Sequence, residues 1–132
     1  MTRQPDWDHD FRRGNQGELF VLEIVQRLTN GTVETKRDDR AMETGNLYIE
    51  TECYRIAFGE YLPSGLSESK AELWAFVVGP GLLVVPAGIL RAIESRCRRA
   101  ACSEGSNPTR GFLAPLSMIL NELRRAGIGV AA

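Results

Sequence analysis

The sequence predicts an α/β domain with a mixed β-sheet flanked by helices, and three observations carry that expectation. Asn46–Tyr54 alternates, with Leu47, Ile49, Thr51 and Cys53 on one side and Tyr48, Glu50 and Glu52 on the other. Two apolar runs, Trp74–Val78 and Leu82–Val85, are separated only by Gly79-Pro80-Gly81, which reads as two buried strands joined tightly. Helical periodicity occurs ahead of, between and after these strands.

In chain order, Leu19 to Leu28 predicts a first helix, with Leu22, Val25 and Leu28 at helical spacing and Asn30-Gly31 as its stop. Thr32–Lys36 is a short strand candidate, followed by a polar loop from Asp38 to Gly45. After the alternating strand, Arg55–Leu62 is expected to prolong it as a bent arm, up to a turn at Pro63-Ser64-Gly65. Ser67 to Leu73 predicts a turn or two of helix, with Ser67 as N-cap. Beyond the two apolar strands, a long helix is expected from Pro86 or Ala87 through Arg99, with Ile89, Leu90 and Ile93 on its apolar side. Ser103–Thr109 reads as a loop, Gly111–Pro115 as a last short strand and Ser117–Arg125 as a closing helix. No repeat and no long linker divides the chain, so its 132 residues are expected to form a single domain, 1–132.

Composition limits the function classes. Apolar residues make up 43% and charged residues 25%, values typical of a globular chain and unlike a disordered one. No apolar run approaches the roughly 18 residues a spanning helix needs, and the start is polar, so a cytoplasmic protein without a membrane partner is expected. Cys53, Cys97 and Cys102 form no CxxC pair and the chain holds one histidine, which argues against a structural zinc. The net charge of −1 conceals an asymmetry. Residues 1–72 hold 9 Lys/Arg against 14 Asp/Glu, whereas residues 73–132 hold 7 Arg against 3 Glu. An acidic half facing a basic half suits a cation site beside a phosphate-binding surface, although solvated helix faces also carry arginine clusters.

The stretch most suggestive of chemistry runs Val33-Glu-Thr-Lys-Arg-Asp38, Thr44-Gly-Asn46 and Tyr48-Ile-Glu50-Thr-Glu52. A carboxylate leaving one strand and a Glu-x-Glu on the next can converge on one cation. On a regular strand Glu50 and Glu52 would stand about 6.6–6.8 Å apart on one face. Such hard oxygen ligands suit magnesium or manganese; two glutamates on a solvated strand face are the competing explanation. Glu18 shares a helical row with Leu22 and Val25 and leans toward the core side, or else sits there for the helix dipole. Lys70 follows a Gly turn and precedes the apolar strands, where its amine could return to the sheet edge or simply lie at the surface. Arg96, Arg98 and Arg99, with Lys36, are candidate phosphate contacts.

These blocks resemble the PD-(D/E)XK nuclease superfamily, and within it the small phage and bacterial, Holliday-junction-resolvase-like members. Their pattern, VEVKxD, TGNxxIE and PSGxxxxKADYW, stands here as VETKRD, TGNLYIE and PSGLSESKAELW, over about 45 residues in the same order. The resemblance implies a restriction-endonuclease-like core and a DNA endonuclease that uses Mg²⁺ or Mn²⁺ and a water nucleophile. It implies Asp38 and Glu50 as metal ligands, Glu18 as the helix carboxylate completing the site, and Lys70 as a relocated catalytic lysine, with Lys36 the other candidate. Two departures accompany it. No proline precedes the acidic residue, and Glu52 occupies the slot where many members carry the catalytic lysine. The second departure supports the alternative of a catalytically degenerate domain that binds nucleic acid or protein. A homodimer would let so small a chain enclose a duplex.

Overall fold

A computed structural model describes residues 32–128 other than 104 and 106. The first helix expected from the sequence, with Glu18, lies outside the described residues. Within them the chain runs β1 (Val33–Arg37), α1 (Ala41–Thr44), β2 (Asn46–Arg55), β3 (Glu60–Pro63), β4 (Leu73–Val78), β5 (Gly81–Pro86), α2 (Ala87–Ile93), β6 (Arg98–Cys102), β7 (Thr109–Pro115) and α3 (Leu116–Arg125). Single 3-10 turns occupy Gly65–Ser67 and Glu94–Arg96.

The chain is α/β, as expected, but its strands form two sheets rather than one central sheet. One has the order β1-β4-β5 and the other β3-β2-β7-β6. The reason lies in what β1 pairs with. Val33–Arg37 runs parallel to Leu73–Val77, with Glu34 opposite Trp74 and Lys36 opposite Phe76. A parallel pair needs a long crossover, and here that crossover contains α1, β2 and β3. Strand β2 meanwhile pairs antiparallel with β3 and with β7.

One core joins the sheets. Leu47, Ile49, Phe112 and Ala114 from the four-stranded sheet cluster with Trp74, Phe76 and Val85 from the three-stranded one, under Leu90 and Ile93 of α2 and Ile119 and Leu123 of α3. Each such large side chain, fully buried, contributes about 1.5–3 kcal/mol. The predicted alternation on β2 is observed: its buried residues are Leu47, Ile49, Thr51 and Cys53.

Four elements differ from the sequence reading. The loop expected from Asp38 to Gly45 contains the short helix α1, closed by Gly45 in a left-handed conformation. The expected arm Arg55–Leu62 is a hairpin, because the chain turns at residues 56–59 and returns with Tyr54 opposite Tyr61. The expected helix from Ser67 to Leu73 is one 3-10 turn followed by extended chain. Gly65 takes a left-handed φ of +53° beside β2, and Leu73 is already committed to β1. The second helix stops at Ile93, so Arg98 and Arg99 belong to strand β6, drawn into the sheet as the edge partner of β7. Among the described residues no helix is long and apolar enough to cross a membrane.

Candidate functional site

Asp38 sits where the two sheets meet. Its backbone N–H donates to Val77 O at 3.1 Å, continuing the β1–β4 ladder past Arg37. Its side chain turns the other way. Oδ1 accepts the backbone N–H groups of Arg40 (3.1 Å) and Ala41 (3.0 Å), capping α1, and Oδ2 accepts the N–H of Tyr48 on β2 at 2.9 Å. Aspartate followed at once by a helix is a capping signature, and it was legible in Asp38-Asp39-Arg40-Ala41. The carboxylate thus fastens β1 to β2 without the two strands sharing a ladder.

Glu50 lies two residues beyond that fastening, about one strand repeat of 6.6–6.8 Å along β2. It is half-buried and makes no hydrogen bond or ion pair with any described residue. Its backbone is clamped from both sides by glycines. A Cβ on Gly65 would collide with Glu50 O, and one on Gly111, directly opposite Glu50 on β7, would collide with Ile49 O. Next to Gly65, the Ser64 hydroxyl is buried with no partner among the described residues.

Glu52 is separated from Glu50 by a β-bulge. Glu50 opposes Gly111 and Glu52 opposes Arg110, the next residue along β7, so the pairing register shifts by one between them. Burial still alternates through the bulge, with Ile49, Thr51 and Cys53 buried and both glutamates on the other side of the strand. Glu52 stands 3.8 Å from the Arg110 guanidinium, which stacks 3.5 Å over the Tyr61 ring.

Of the two lysines, Lys36 is on the strand that ends at Asp38, two residues earlier. Its ammonium is 3.3 Å from Glu34 Oε1 and 5.6 Å from the Trp74 ring centroid. Glu34, not singled out from the sequence, is thus part of the neighbourhood, and its Glu-x-Lys spacing was readable in VETKRD. Lys70 is not brought to Asp38. It precedes the start of β4, in a loop held by a bond from Arg91 to Ser69 O (2.9 Å), whereas Asp38 lies at that strand's far end. Four strand residues span about 13 Å.

No protein-family model, curated protein or solved structure matches the chain. The site must therefore be read from its own chemistry. Among the described residues no three His, Cys, Asp or Glu side chains stand close enough to hold a metal together. Asp38 and Glu50 supply two carboxylates, and Glu18, the third expected ligand, lies outside the described residues.

Tyr48 was also missed from the sequence. It opposes Leu113, yet its hydroxyl meets Thr109 Oγ1 at 2.8 Å, so its ring extends along β7 past Gly111. Burial raises its pKa, the Thr109 hydrogen bond opposes that shift, and electrostatic interaction with Cys102 and Glu50 adds to it. The expected phosphate contacts are dispersed. Arg99 is bound to Glu94 (2.9 Å) and to the buried Thr51 hydroxyl (3.1 Å), Arg96 to Glu122 (3.0 Å), and Arg98 is exposed on the edge strand β6.

Proposed function

We propose that the chain is a divalent-metal-dependent nuclease that hydrolyses DNA phosphodiester bonds on a restriction-endonuclease-like core. The observation that carries this reading is Glu50. It is a half-buried carboxylate with no partner among the described residues, on the strand to which Asp38 is fastened two residues earlier. Withdrawing a carboxylate from water unpaired costs free energy that a bound cation offsets. Magnesium suits these donors, because it binds through one or two carboxylates while keeping waters and taking substrate phosphates. Glu50 offers an uncommitted carboxylate, and Asp38 Oδ2, which accepts a single bond, keeps a lone pair. Bound there, the ion would polarise a phosphate oxygen and acidify a water. The chain's own contribution is placement. Asp38 is pinned by three backbone amides, Glu50 is held by the two glycines, and Lys36, on the strand that ends at Asp38, would neutralise charge on the phosphate.

A manganese titration of the wild type and of Glu50→Gln by calorimetry, paired with cleavage of duplex, branched and single-stranded DNA, tests the reading. Saturable binding should be lost in Glu50→Gln, and cleavage should fall by roughly two to three orders of magnitude in Lys36→Met. A wild type that binds no manganese saturably overturns it.

A second reading, a nucleic-acid-binding domain without chemistry, is favoured by Asp38 itself. Three of the about four acceptor positions of its carboxylate already serve backbone amides. DNA binding with no cleavage under any divalent ion selects this alternative.

A further inference from the structure

Away from the carboxylate pair, a cleft of about 610 Å³ lies between α3 and the 3-10 turn that precedes β6. One wall is the polar stripe of α3. Ser117, Asn121, Arg124 and Arg125 recur at i, i+4, i+7 and i+8, while Ile119 and Leu123 are buried on the opposite side of the helix. The other wall carries Arg96. Arg96 and Arg125 both reach the same oxygen, Oε1 of Glu122, at 3.0 and 3.1 Å, so one carboxylate draws two guanidinium groups together. Arg124 lines the same cleft and has no ion pair among the described residues. Three cations against one anion leave the cleft with an excess of two positive charges, with hydroxyl and amide groups between them.

The cleft begins where α3 leaves the four-stranded sheet. The N–H of Leu116 donates to Gly45 O at 2.8 Å, and Pro115 lies opposite Asn46 on β2. Asn46 is two residues before Tyr48, where Asp38 is fastened. The stripe from Ser117 to Arg125 is about 12 Å long at 1.5 Å per residue. That matches the axial rise of about three to four phosphates on one strand of duplex DNA.

We propose that this cleft binds the phosphodiester backbone of a DNA strand, with Arg96, Arg124 and Arg125 as its cationic contacts. This rests on the nuclease reading and extends it, by naming a surface of the same fold that holds the DNA backbone. The basic surface expected from the sequence is thereby moved. Arg99 is consumed by Glu94 and Thr51, and the C-terminal end of α3 takes its place. Glu122 acts as a brake, since it occupies two of the three guanidinium groups until phosphate competes for them.

The test is fluorescence anisotropy with a labelled short DNA duplex, in chelator so that no cleavage intervenes, across a salt series. The double variant Arg96→Gln/Arg124→Gln should bind at least about tenfold more weakly, with a log–log salt slope shallower by roughly 1.8, two contacts at about 0.9 each. Arg124→Lys should retain near wild-type affinity. Glu122→Gln should bind more tightly than the wild type, which no loss of folding can mimic, and thermal melts of each variant control for stability. A double variant with unchanged affinity and slope overturns the inference, as does weaker binding by a folded Glu122→Gln. The nuclease reading fails separately: wild-type protein that binds through this cleft yet never cleaves with magnesium or manganese removes the chemistry and leaves the cleft.

Discussion

Replacing Asp38 with asparagine keeps the shape of the side chain and discards its charge and one of its acceptors. In the native arrangement Oδ1 serves two amides of α1 and Oδ2 serves Tyr48. The asparagine oxygen can keep the first pair, but its NH₂ then faces the Tyr48 N–H, donor against donor. A lost hydrogen bond to a charged group costs about 1.5–3 kcal/mol, and a stranded, partly buried amide adds to it. We therefore expect Asp38→Asn to destabilise by about 2–4 kcal/mol. Asp38→Ala should cost about 3–5 kcal/mol, since it also uncaps α1. Against a total stability of about 5–15 kcal/mol, this is a large fraction. With a urea m-value of about 2 kcal/mol/M, the Asp38→Asn midpoint should fall by about 1–2 M. Glu50→Gln is the internal control, because Glu50 has no partner to lose among the described residues, and its midpoint should stay within experimental error or rise. An Asp38→Asn protein as stable as the wild type, or a Glu50→Gln protein equally weakened, refutes the assignment of Asp38 as the fastening between the sheets. The same unfolding curves are needed to interpret a null cleavage result for Asp38→Asn, where lost chemistry and lost folding otherwise mix.

Other outcomes follow from the packing and the titrations. Gly111→Ala should cost at least about 3 kcal/mol or abolish soluble expression, because its Cβ would strike Ile49 O, whereas Gly88→Ala, with open space on α2, should stabilise by about 0.5–1 kcal/mol in the same thermal assay. Burial raises the Tyr48 pKa above the ordinary 10.0, so the difference between spectrophotometric titrations of the wild type and Tyr48→Phe should show a phenol ionising above that value. Folding then favours the neutral phenol. That contribution to stability is fully present below about pH 10, the ordinary tyrosine value, and is lost as pH rises through the elevated one; in Tyr48→Phe this alkaline loss should be absent. Burial likewise raises the Cys97 thiol, whose sulfur lies 3.8 Å from Met118 Sδ, so iodoacetamide should modify Cys97 more slowly in the folded protein than in urea at the same mildly alkaline pH.

Much of the secondary structure could be read from the sequence where a single physical rule dominated. Side-chain alternation placed β2 to within a residue, and apolar runs around Gly79-Pro80 placed β4 and β5. The reading failed where distant pairing overrode local preference. Arg96–Cys102 is rich in arginine and alanine, good helix formers, yet from Arg98 it is a strand because β7 offers it an open edge. Nothing local indicates that Val33–Arg37 will pair with residues forty positions away, and that pairing is what splits the expected single sheet in two. At the candidate site, Asp38 and Glu50 were legible as residue types and are close along β2. The bulge between Glu50 and Glu52 has no signature in Tyr48-Ile-Glu50-Thr-Glu52 itself. Lys70 looked favourable by spacing, but the extended chain before β4 carries it to the opposite end of the strand from Asp38.

The fastening at Asp38 also has a history in time. The three-stranded sheet to which Asp38 belongs has all its described strands once the chain has been made as far as Pro86, whereas the sheet that carries Glu50 waits for β7 and is complete only at Pro115. On the ribosome, therefore, one carboxylate has its scaffold while the other strand still lacks its principal partner, and non-local pairings of this kind close slowly. The growing chain carries both acids long before it can bring them together. Newly made protein should pass through a stage with a folded β1-β4-β5 sheet and an unpaired edge on β2, the stage at which aggregation through that edge competes with maturation.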